Sequence, residues 1–374
     1  MRARVVIGAL SLAALVLAAS TISSAPSSLS QQPTARQQDS DVGLLLGLRE
    51  NRVNVEDRES HTAYETVWIT WRGDRVEIQR ASNLLIPRTD DFWLMGNALG
   101  AEDQRETEYL WAAPLDRQPK RDEVLRSPAC EKGSSVETVD SVFGDYVGIS
   151  QVTTKGCKVS PIKRLLARKM SEVNDGPNRA ISEVLGADAL SRFEIAVETK
   201  RHSLLAELRE KTCTFESDPA QWDVTRPQQR WEAEKRWAIS GSGIYSPDSC
   251  SDEWNNTFEI PARLPSEFIE DPPLPLPWVT MQAAFPNQGF SDALSSPSGK
   301  FVILVALSSY DELAVCPVKQ GRLSDPVAQI TLGSEWFDVE ISQVVMERWA
   351  RGDDVRLWGE AVARIQRTQS KNLP

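Results

Sequence analysis

Short runs in which apolar and polar residues alternate recur along this chain, and they restrict its fold more than any other feature. The residues of the run 67–71 point alternately to two faces, as they do in a β-strand with one buried side. A turn at 72–74 and renewed alternation over 76–79 then predict a β-hairpin. Antiparallel sheet is therefore the expected main component of the fold.

Further strands are predicted wherever short apolar runs are bounded by turn residues. They cover 84–86, 92–94, 140–154, 301–307 and 313–318, with turns at 296–300 and 319–322. The succession of turn and strand over 296–322 resembles one blade of a β-propeller. Because the sequence contains no second clear copy, a complete propeller is not predicted.

Apolar residues at helical spacing predict several helices among these strands. They cover 162–173, 181–185, 193–208 and the C-terminal 355–365. Residues 193–197 would also alternate as a strand, and the tryptophan-rich stretch 222–239 fits either strands or a short helix. The predicted fold is α+β and β-rich, with antiparallel sheets and covering helices in two domains.

The N-terminus has the order of a secretory signal peptide. A basic start with Arg2 and Arg4 precedes the apolar run 5–19, and small and polar residues follow. The run is shorter than the roughly 20 residues that span a bilayer, and an uncleaved anchor is the alternative. We expect residues 1–25 to be a signal peptide and 26–40 a flexible linker. The expected location is secreted or periplasmic, with no membrane contact beyond the signal.

The segment 271–277 divides the remaining chain. It is rich in proline and can form neither a helix nor a central strand. We interpret it as an extended strap between an α+β domain over 41–270 and a β-rich domain with a C-terminal helix over 278–374. Whether the two β-rich halves share one sheet is open at this point.

Export favours disulfide bonds between the cysteines of the chain. Sequential pairing, Cys130 with Cys157 and Cys213 with Cys250, is our hypothesis, although the sequence does not select among the possible pairings. Cys316 ends an apolar run and is predicted to be a buried free thiol. No C-x-x-C pair is present, so cysteine is not expected to bind metal.

The charge and the histidine count exclude several classes of function. The net charge of −11 argues against a nucleic-acid partner, because such partners require a basic surface. The 2 histidines leave little room for a histidine-rich metal site. Since glycine-rich phosphate-binding motifs are also absent from the sequence, we expect no metal and no cofactor.

Tryptophan is the compositional outlier, with 12 residues. Indole rings can stack on sugars when exposed, whereas buried ones fill cores. Two groups are candidates for ligand binding, with core packing as the alternative: Trp68 and Trp71, and Trp222, Trp231 and Trp237. A glycosidase would also need a carboxylate pair, but no pair can be selected among the 53 acidic residues.

Residues 139–150, VDSVFGDYVGIS, carry a family resemblance. They resemble the VGxYVS strand of a bacterial extracytoplasmic domain that occurs in RsiV-type anti-sigma-factor sensors and in secreted proteins of unknown function. The resemblance extends over about 139–239 and implies an α+β domain that binds a ligand or protein. In that family the strand leads into a Gly-Gly-His element and then helices. Here 155–157, Lys-Gly-Cys, stands in that place, so the signature element is missing.

The sequence shows no assembled set of catalytic residues. Our first expectation is an exported, non-enzymatic binding or envelope-associated protein of unknown ligand. A carbohydrate-active protein that uses its tryptophans is one alternative, and a sensor or inhibitor of a cell-wall enzyme is another. The expected partners are a cell-wall glycan or an extracellular protein.

Overall fold

The computed structural model describes residues 41–53, 60–72, 75–89, 91–99, 108–117, 135–153, 162–174, 176–208, 214–225, 237–246, 255–262, 264, 274–285, 289–306, 312–332 and 338–372. These residues all belong to one compact unit that starts at Gln38. Within the described ranges, no helix is both long and apolar enough to cross a membrane.

Strands make up most of the regular structure. In chain order they are β1 (Asp41–Val53), β2 (Ser60–Arg72), β3 (Arg75–Ser82), β4 (Leu84–Pro87), β5 (Phe92–Leu99), β6 (Glu108–Pro114), β7 (Ser135–Phe143), β8 (Tyr146–Thr153), β9 (Ile162–Lys169), β10 (Thr214–Glu216), β11 (Trp222–Thr225), β12 (Trp237–Ser246), β13 (Asn255–Ala262), β14 (Asp292–Ser295), β15 (Phe301–Ala306), β16 (Glu312–Lys319), β17 (Arg322–Leu323), β18 (Ala328–Thr331) and β19 (Asp338–Arg351). The helices are α1 (Ile181–Val184), α2 (Ala187–Leu208), α3 (Trp278–Ala284) and α4 (Asp353–Asn372).

The described strands form four sheets, which we name A to D. Sheet A has the order β19-β1-β2-β3, and sheet B contains β4 to β9 in sequence order. In sheet C, β12 pairs with β10, β11 and β13, and in sheet D, β16 pairs with β15, β17 and β18, while β14 pairs with β15. The bridge between β6 and β7 is parallel, whereas the other described pairings are antiparallel. The predicted β-rich class with antiparallel sheets is confirmed.

Sheet A joins the two ends of the described chain. β19 pairs with β1 from Arg351 opposite Val42 to Asp338 opposite Val53. The β-rich halves before and after 271–277 therefore share a sheet. The sequence analysis assigned 278–374 to a separate β-rich domain, whereas β19 and α4 of that segment pack with β1, β2 and β3.

The sequence analysis missed β1 because its apolar residues do not alternate. Leu44, Leu45 and Leu46 are consecutive, and all three are buried. Leu45 belongs to the core between sheets A and B, whereas Leu44 and Leu46 belong to the core between sheets A and D. A strand that is covered on both faces has a continuous apolar run instead of a two-residue period.

Most of the other predicted elements are confirmed. The hairpin is formed by β2 and β3, which pair from Glu65 opposite Ser82 to Arg72 opposite Arg75. The strands expected at 84–86, 92–94, 301–307 and 313–318 correspond to β4, β5, β15 and β16, and the helices expected at 181–185, 193–208 and 355–365 correspond to α1, α2 and α4. In the ambiguous stretch 222–239, the described residues form β11 and the start of β12.

The helix predicted over 162–173 is wrong, because these residues form β9 and a short 3-10 turn. Leu166 packs in the core between sheets A and B, and the adjacent Ala167 packs against sheet C. Because both faces of β9 are buried, its apolar residues occur at spacings that also fit a helix. The strand β9 also stands where the family resemblance would place helices after the VGxYVS strand.

The single strand predicted over 140–154 is instead a hairpin of β7 and β8. Phe143 pairs with Tyr146 across a two-residue turn, in which Gly144 has a φ of +54°. Glycine adopts this left-handed conformation without the steric strain that a side chain causes. The Gly-Asp turn was therefore the signal that the strand ends there.

Helix α4 covers sheet A. Val355, Val362 and Ile365 are buried on its inner face. At the edge strand β3, Gln366 Nε2 donates a hydrogen bond to the carbonyl oxygen of Arg80 at 2.7 Å. Gln369 Nε2 donates to the carbonyl oxygen of Ser82 at 3.2 Å. These bonds occupy backbone groups that an uncovered edge strand would offer to another chain.

Trp68 fills the space between sheet A and α4. Its ring lies 6.0 Å from that of Trp358 on the helix. A Cβ atom at Gly43 would lie 2.1 Å from Trp68 Cη2, and one at Gly359 would lie 3.1 Å from Trp68 Nε1. The absence of side chains at these two glycines makes room for the indole.

We expect the substitution Trp68→Ala to lower the free energy of unfolding by about 3–5 kcal/mol, because a truncated core aromatic leaves a cavity. Denaturant titration followed by circular dichroism measures the change. Ile195→Ala is the control, because Ile195 on α2 is 63% exposed and its truncation should cost less than about 0.5 kcal/mol. Equal losses in the two variants would contradict a core role for Trp68.

Candidate functional site

Two of the tryptophans predicted to bind a ligand are buried in different cores. Trp68 lies between sheet A and α4, and Trp222 lies among the side chains of sheets B and C. The ring of Trp222 is 6.4 Å from that of Phe143, and its indole N–H donates a hydrogen bond to the carbonyl oxygen of Arg179. Protein neighbours thus occupy the surfaces that a sugar would need.

The other predicted tryptophans do not extend this pair into a shared surface. Trp71 stacks on Phe301, with ring centroids 4.6 Å apart and an interplanar angle of 10°. Trp237 is half-buried at the edge of the core between α2 and sheet C. Trp231 lies outside the described residues. The four described indoles are therefore distributed over three hydrophobic cores.

The disulfide prediction concerns Cys130, Cys157, Cys213 and Cys250, which lie outside the described residues. Cys316 is buried and free, as predicted. Burial raises the pKa of its thiol to about 12. Within the described part of the chain, no group of three or more His, Cys, Asp or Glu side chains is placed to hold a metal ion.

A β-bulge at Asp140 gathers polar groups inside the structure. In the pairing of β7 with β8, Val139 lies opposite Ile149 and Ser141 lies opposite Gly148, so Asp140 is an extra residue without a partner in register. A bulge changes the direction of a side chain and frees backbone groups from the ladder. At this bulge, groups from sheets A and C reach β7 of sheet B.

The carboxylate and backbone of Asp140 bind to three other strands. Arg49 of β1 forms an ion pair with it, with Nη1 at 2.7 Å from Oδ1. The hydroxyl of Ser150 on β8 donates to Oδ2. Gln343 Nε2 of β19 donates to the carbonyl oxygen of Asp140 at 2.9 Å. Asp140 therefore connects sheet B to β1 and to β19, the two strands of sheet A that join the ends of the described chain.

The backbone of Val139 is also bound by side chains. Its N–H donates to the hydroxyl oxygen of Tyr64 at 2.8 Å, and its carbonyl oxygen accepts from Arg49 Nη1 at 3.2 Å. Burial raises the pKa of the Tyr64 phenol above its ordinary value. Tyr64 is therefore neutral at physiological pH, and buried backbone groups at the bulge keep hydrogen-bond partners.

Asp223 of β11 faces this bulge from sheet C. The Asp223 side chain is fully buried. Oδ1 accepts hydrogen bonds from the hydroxyl of Ser141 at 3.2 Å and from the N–H of Val224 at 2.6 Å. A Cβ atom at Gly148 would lie 1.4 Å from Oδ1. Only glycine at position 148 leaves space for this carboxyl group.

The environment of the second oxygen of Asp223 favours the protonated form of the carboxyl group. Among the described residues, no donor reaches Oδ2, and the carboxyl group of Asp140 lies within hydrogen-bonding reach. Burial first, and the negative charge of Asp140 second, raise the pKa of Asp223 well above its usual range. A protonated Asp223 can donate a hydrogen bond to Asp140, an arrangement in which the two carboxyl groups share one proton.

A second acidic pair lies on the other side of β1, next to Arg49. Arg80 binds both carboxylate oxygens of Glu65, with Nε at 2.6 Å and Nη2 at 2.7 Å. Burial, and then the nearby charge of Glu50, raise the pKa of Glu65, whereas Arg80 lowers it. Glu50 itself is buried. Adjacent residues of β1 thus serve two separate clusters, each with two carboxyl groups and one arginine.

The sequence analysis did not select the residues of this junction. Asp140 lies in a predicted strand, and Asp223 lies between two large apolar residues, Trp222 and Val224, which are both buried. The available signal for Asp223 was its position: the neighbouring apolar residues assign it to the core, where an acidic side chain is unusual. It does not reveal the partner, because Asp140 and Asp223 are far apart in sequence.

We expect Arg49→Met to lower the free energy of unfolding by about 3 kcal/mol, because the acidic pair loses its guanidinium. The double variant Arg49→Met/Asp140→Asn should recover part of that loss. Arg356→Met removes an exposed ion pair with Glu360 and should cost less than about 1 kcal/mol. Denaturant titration of the three variants tests this, and a double variant less stable than Arg49→Met would contradict it.

Comparison with known proteins assigns no family. No protein-family model matches the chain, and no curated protein matches it. A solved structure from Bacteroides fragilis, provisionally assigned as a 6-phosphogluconolactonase, is similar at a TM-score of 0.19 and 9% identity, over 85% of this chain and 100% of that chain. One from Bacteroides uniformis with the same provisional assignment has a TM-score of 0.18 and 9% identity, over 83% and 100%. Likenesses at these scores establish neither a common fold nor a common activity, and the RsiV-type resemblance stays a prediction.

Proposed function

We propose that this chain is an exported, non-enzymatic binding or envelope-associated protein. The basic, apolar and small residues over 1–25 support export, because that order directs secretion. The family resemblance over 139–239 also favours a binding domain. In this proposal the sheets with their covering helices present a surface to a glycan or a protein.

The observation that carries the proposal is the closed junction around Asp140. A catalytic acid must come within hydrogen-bond distance of a substrate atom. Asp223 has no exposed surface, and Ser141 and Val224 donate to its carboxyl group. These acidic groups hold strands of different sheets together. A structural role for these acidic groups favours a binding protein over an enzyme with a hydrolytic site at this position.

A carbohydrate-active protein is the alternative from a different class. The burial of Trp68 and Trp222 and the stacking of Trp71 on Phe301 leave these indoles little surface for a sugar. A glycan would therefore need other contacts, among which Trp231 is a candidate from the sequence. A sensor or inhibitor of a cell-wall enzyme would require a protein-binding surface instead.

We expect the mature, oxidised protein to bind one ligand class saturably and without turnover. Isothermal titration against peptidoglycan fragments, neutral and acidic oligosaccharides, and lysozyme measures binding, and chromatography of the same mixtures measures products. Binding of a glycan without product supports the first choice, and binding of lysozyme supports the inhibitor or sensor. Product formation that increases with protein concentration would contradict a non-enzymatic role.

Export has a separate test. Residues 1–40, fused to a reporter that is active only outside the cytoplasm, should produce activity. Leu15→Arg places a charge in the middle of the apolar run and should abolish that activity, since a signal peptide requires an uninterrupted apolar region. Equal reporter activity in the two fusions would contradict the proposed signal peptide.

A further inference from the structure

The acidic pair lies at the contact between sheet B and the layer formed by sheet C and α2. Phe143 and Ala167 of sheet B pack with apolar side chains of that layer, including Phe193 and Trp222. Within this apolar contact, the hydroxyl of Ser141 and the carboxyl group of Asp140 meet Asp223. Among the described residues, apolar packing and this buried polar contact therefore attach the layer to sheet B.

We propose that Asp140 and Asp223 form a pH-sensitive lock, in which one shared proton holds the sheet C layer on sheet B and its loss loosens the layer. Asp140 has an ion pair with Arg49, and Asp223 contributes a neutral carboxyl group. With the proton present, the three groups have no net charge. Without it, they carry a second buried negative charge for which this contact has no further described cation.

Few groups near the ionised pair can stabilise its second negative charge. Oδ2 of Asp223 has no described donor other than its own proton, and the Gly148 backbone lies too close to Oδ1 for a side chain to intervene. Water cannot solvate a fully buried carboxylate unless the layer moves. Because an unsolvated and unpaired charge is costly, separation of the layer is the available response.

The other ionisable groups on the packed strands are engaged elsewhere or exposed. Arg168 of β9 pairs with Glu137 of β7, with Nη2 at 3.1 Å from Oε1. Lys163 and Arg164 of β9 are exposed, and Lys169 is half-exposed. Other ionisable groups near this contact are Tyr146 of β8, which stacks on Phe143, and Tyr64 of β2, which binds Val139. The described side chains of β12, at 237–243, are not ionisable.

The direction of the pH effect follows from proton linkage. The pKa of Asp223 in the folded protein is raised above the value of an unfolded aspartic acid. Between these two values the folded state binds more protons than the unfolded or opened state. Stability therefore falls as the pH rises through this window and is constant below it, where both states are protonated. The lock is closed on the acidic side and loosens on the alkaline side.

Hydrogen exchange of the full chain between pH 5 and 9 tests the proposal. After correction for the intrinsic exchange rate, the opening constant of β11 and β12 amides should rise up to about tenfold per pH unit, as one linked proton requires. The amides of β15, in sheet D, should show no such rise. A pH-independent opening constant at β11, or an equal rise at β15, would overturn the proposal.

Asp223→Asn keeps the shape of the side chain and a donor toward Asp140, but it cannot ionise. The β11 opening constant should then be independent of pH. Asp218→Asn is the matched control, because Asp218 precedes the same strand at an exposed position, and it should keep the wild-type pH dependence. A pH dependence that persists in Asp223→Asn would overturn the assignment to this residue.

A measurement on the wild type keeps the proposal testable if Asp223→Asn does not fold. Infrared spectroscopy between pH 5 and 9 should show the carbonyl band of a buried protonated carboxylic acid at the acidic end of the range, and the band should disappear at the pH where the opening constant of β11 stops rising. The lack of such a band at pH 5 would overturn the shared proton. This test does not depend on export or on ligand binding, so its failure leaves the proposed function untouched.

Discussion

The antiparallel pairing of β1 with β19 is the constraint on which the rest of the structure depends. It brings the last described strand beside the first and so fixes the position of α4, which follows β19 through Gly352, a residue with a φ of +59°. Sheet A then has two faces to bury. One face packs against sheet B and helix α4, and the other face packs against sheet D. Loss of this pairing would expose both cores together, because Leu44, Leu45 and Leu46 alternate between them.

Charged residues lie inside this arrangement, where the loss of hydration makes a buried charge energetically unfavourable. Arg49 and Glu50, adjacent on β1, reach clusters on opposite sides of the strand, and each cluster contains two carboxyl groups. Replacing a buried ion pair with apolar residues is often neutral or stabilising, so such clusters are weak evidence for stability. They do define register: a shift of β1 by one residue would exchange the two sets of partners.

The sequence predicted the elements that have one buried face or a clear turn. In β3, Arg75 and Glu77 form an exposed side. β2 is buried on both faces, and its alternation before a clear turn predicted it. β1 and β9 are covered on both faces, and their apolar runs carried no period or a false one. The acidic junction was hidden for a different reason. Its members lie on β1, β7 and β11, and only the pairing of distant strands brings Asp140 close to Asp223.

The burial of Asp223 beside the carboxyl group of Asp140 explains why a proton is an effective third partner at this junction. An asparagine at position 223 could donate to Asp140 permanently, whereas an aspartic acid donates only while it holds a proton. The side chain of Asp140 retains 13% of its surface exposed and that of Arg49 retains 19%, whereas Asp223 is fully buried. If the contact between the two sheets only had to be stable, the amide of an asparagine at position 223 would be sufficient. The acid adds a dependence on the pH of the surroundings.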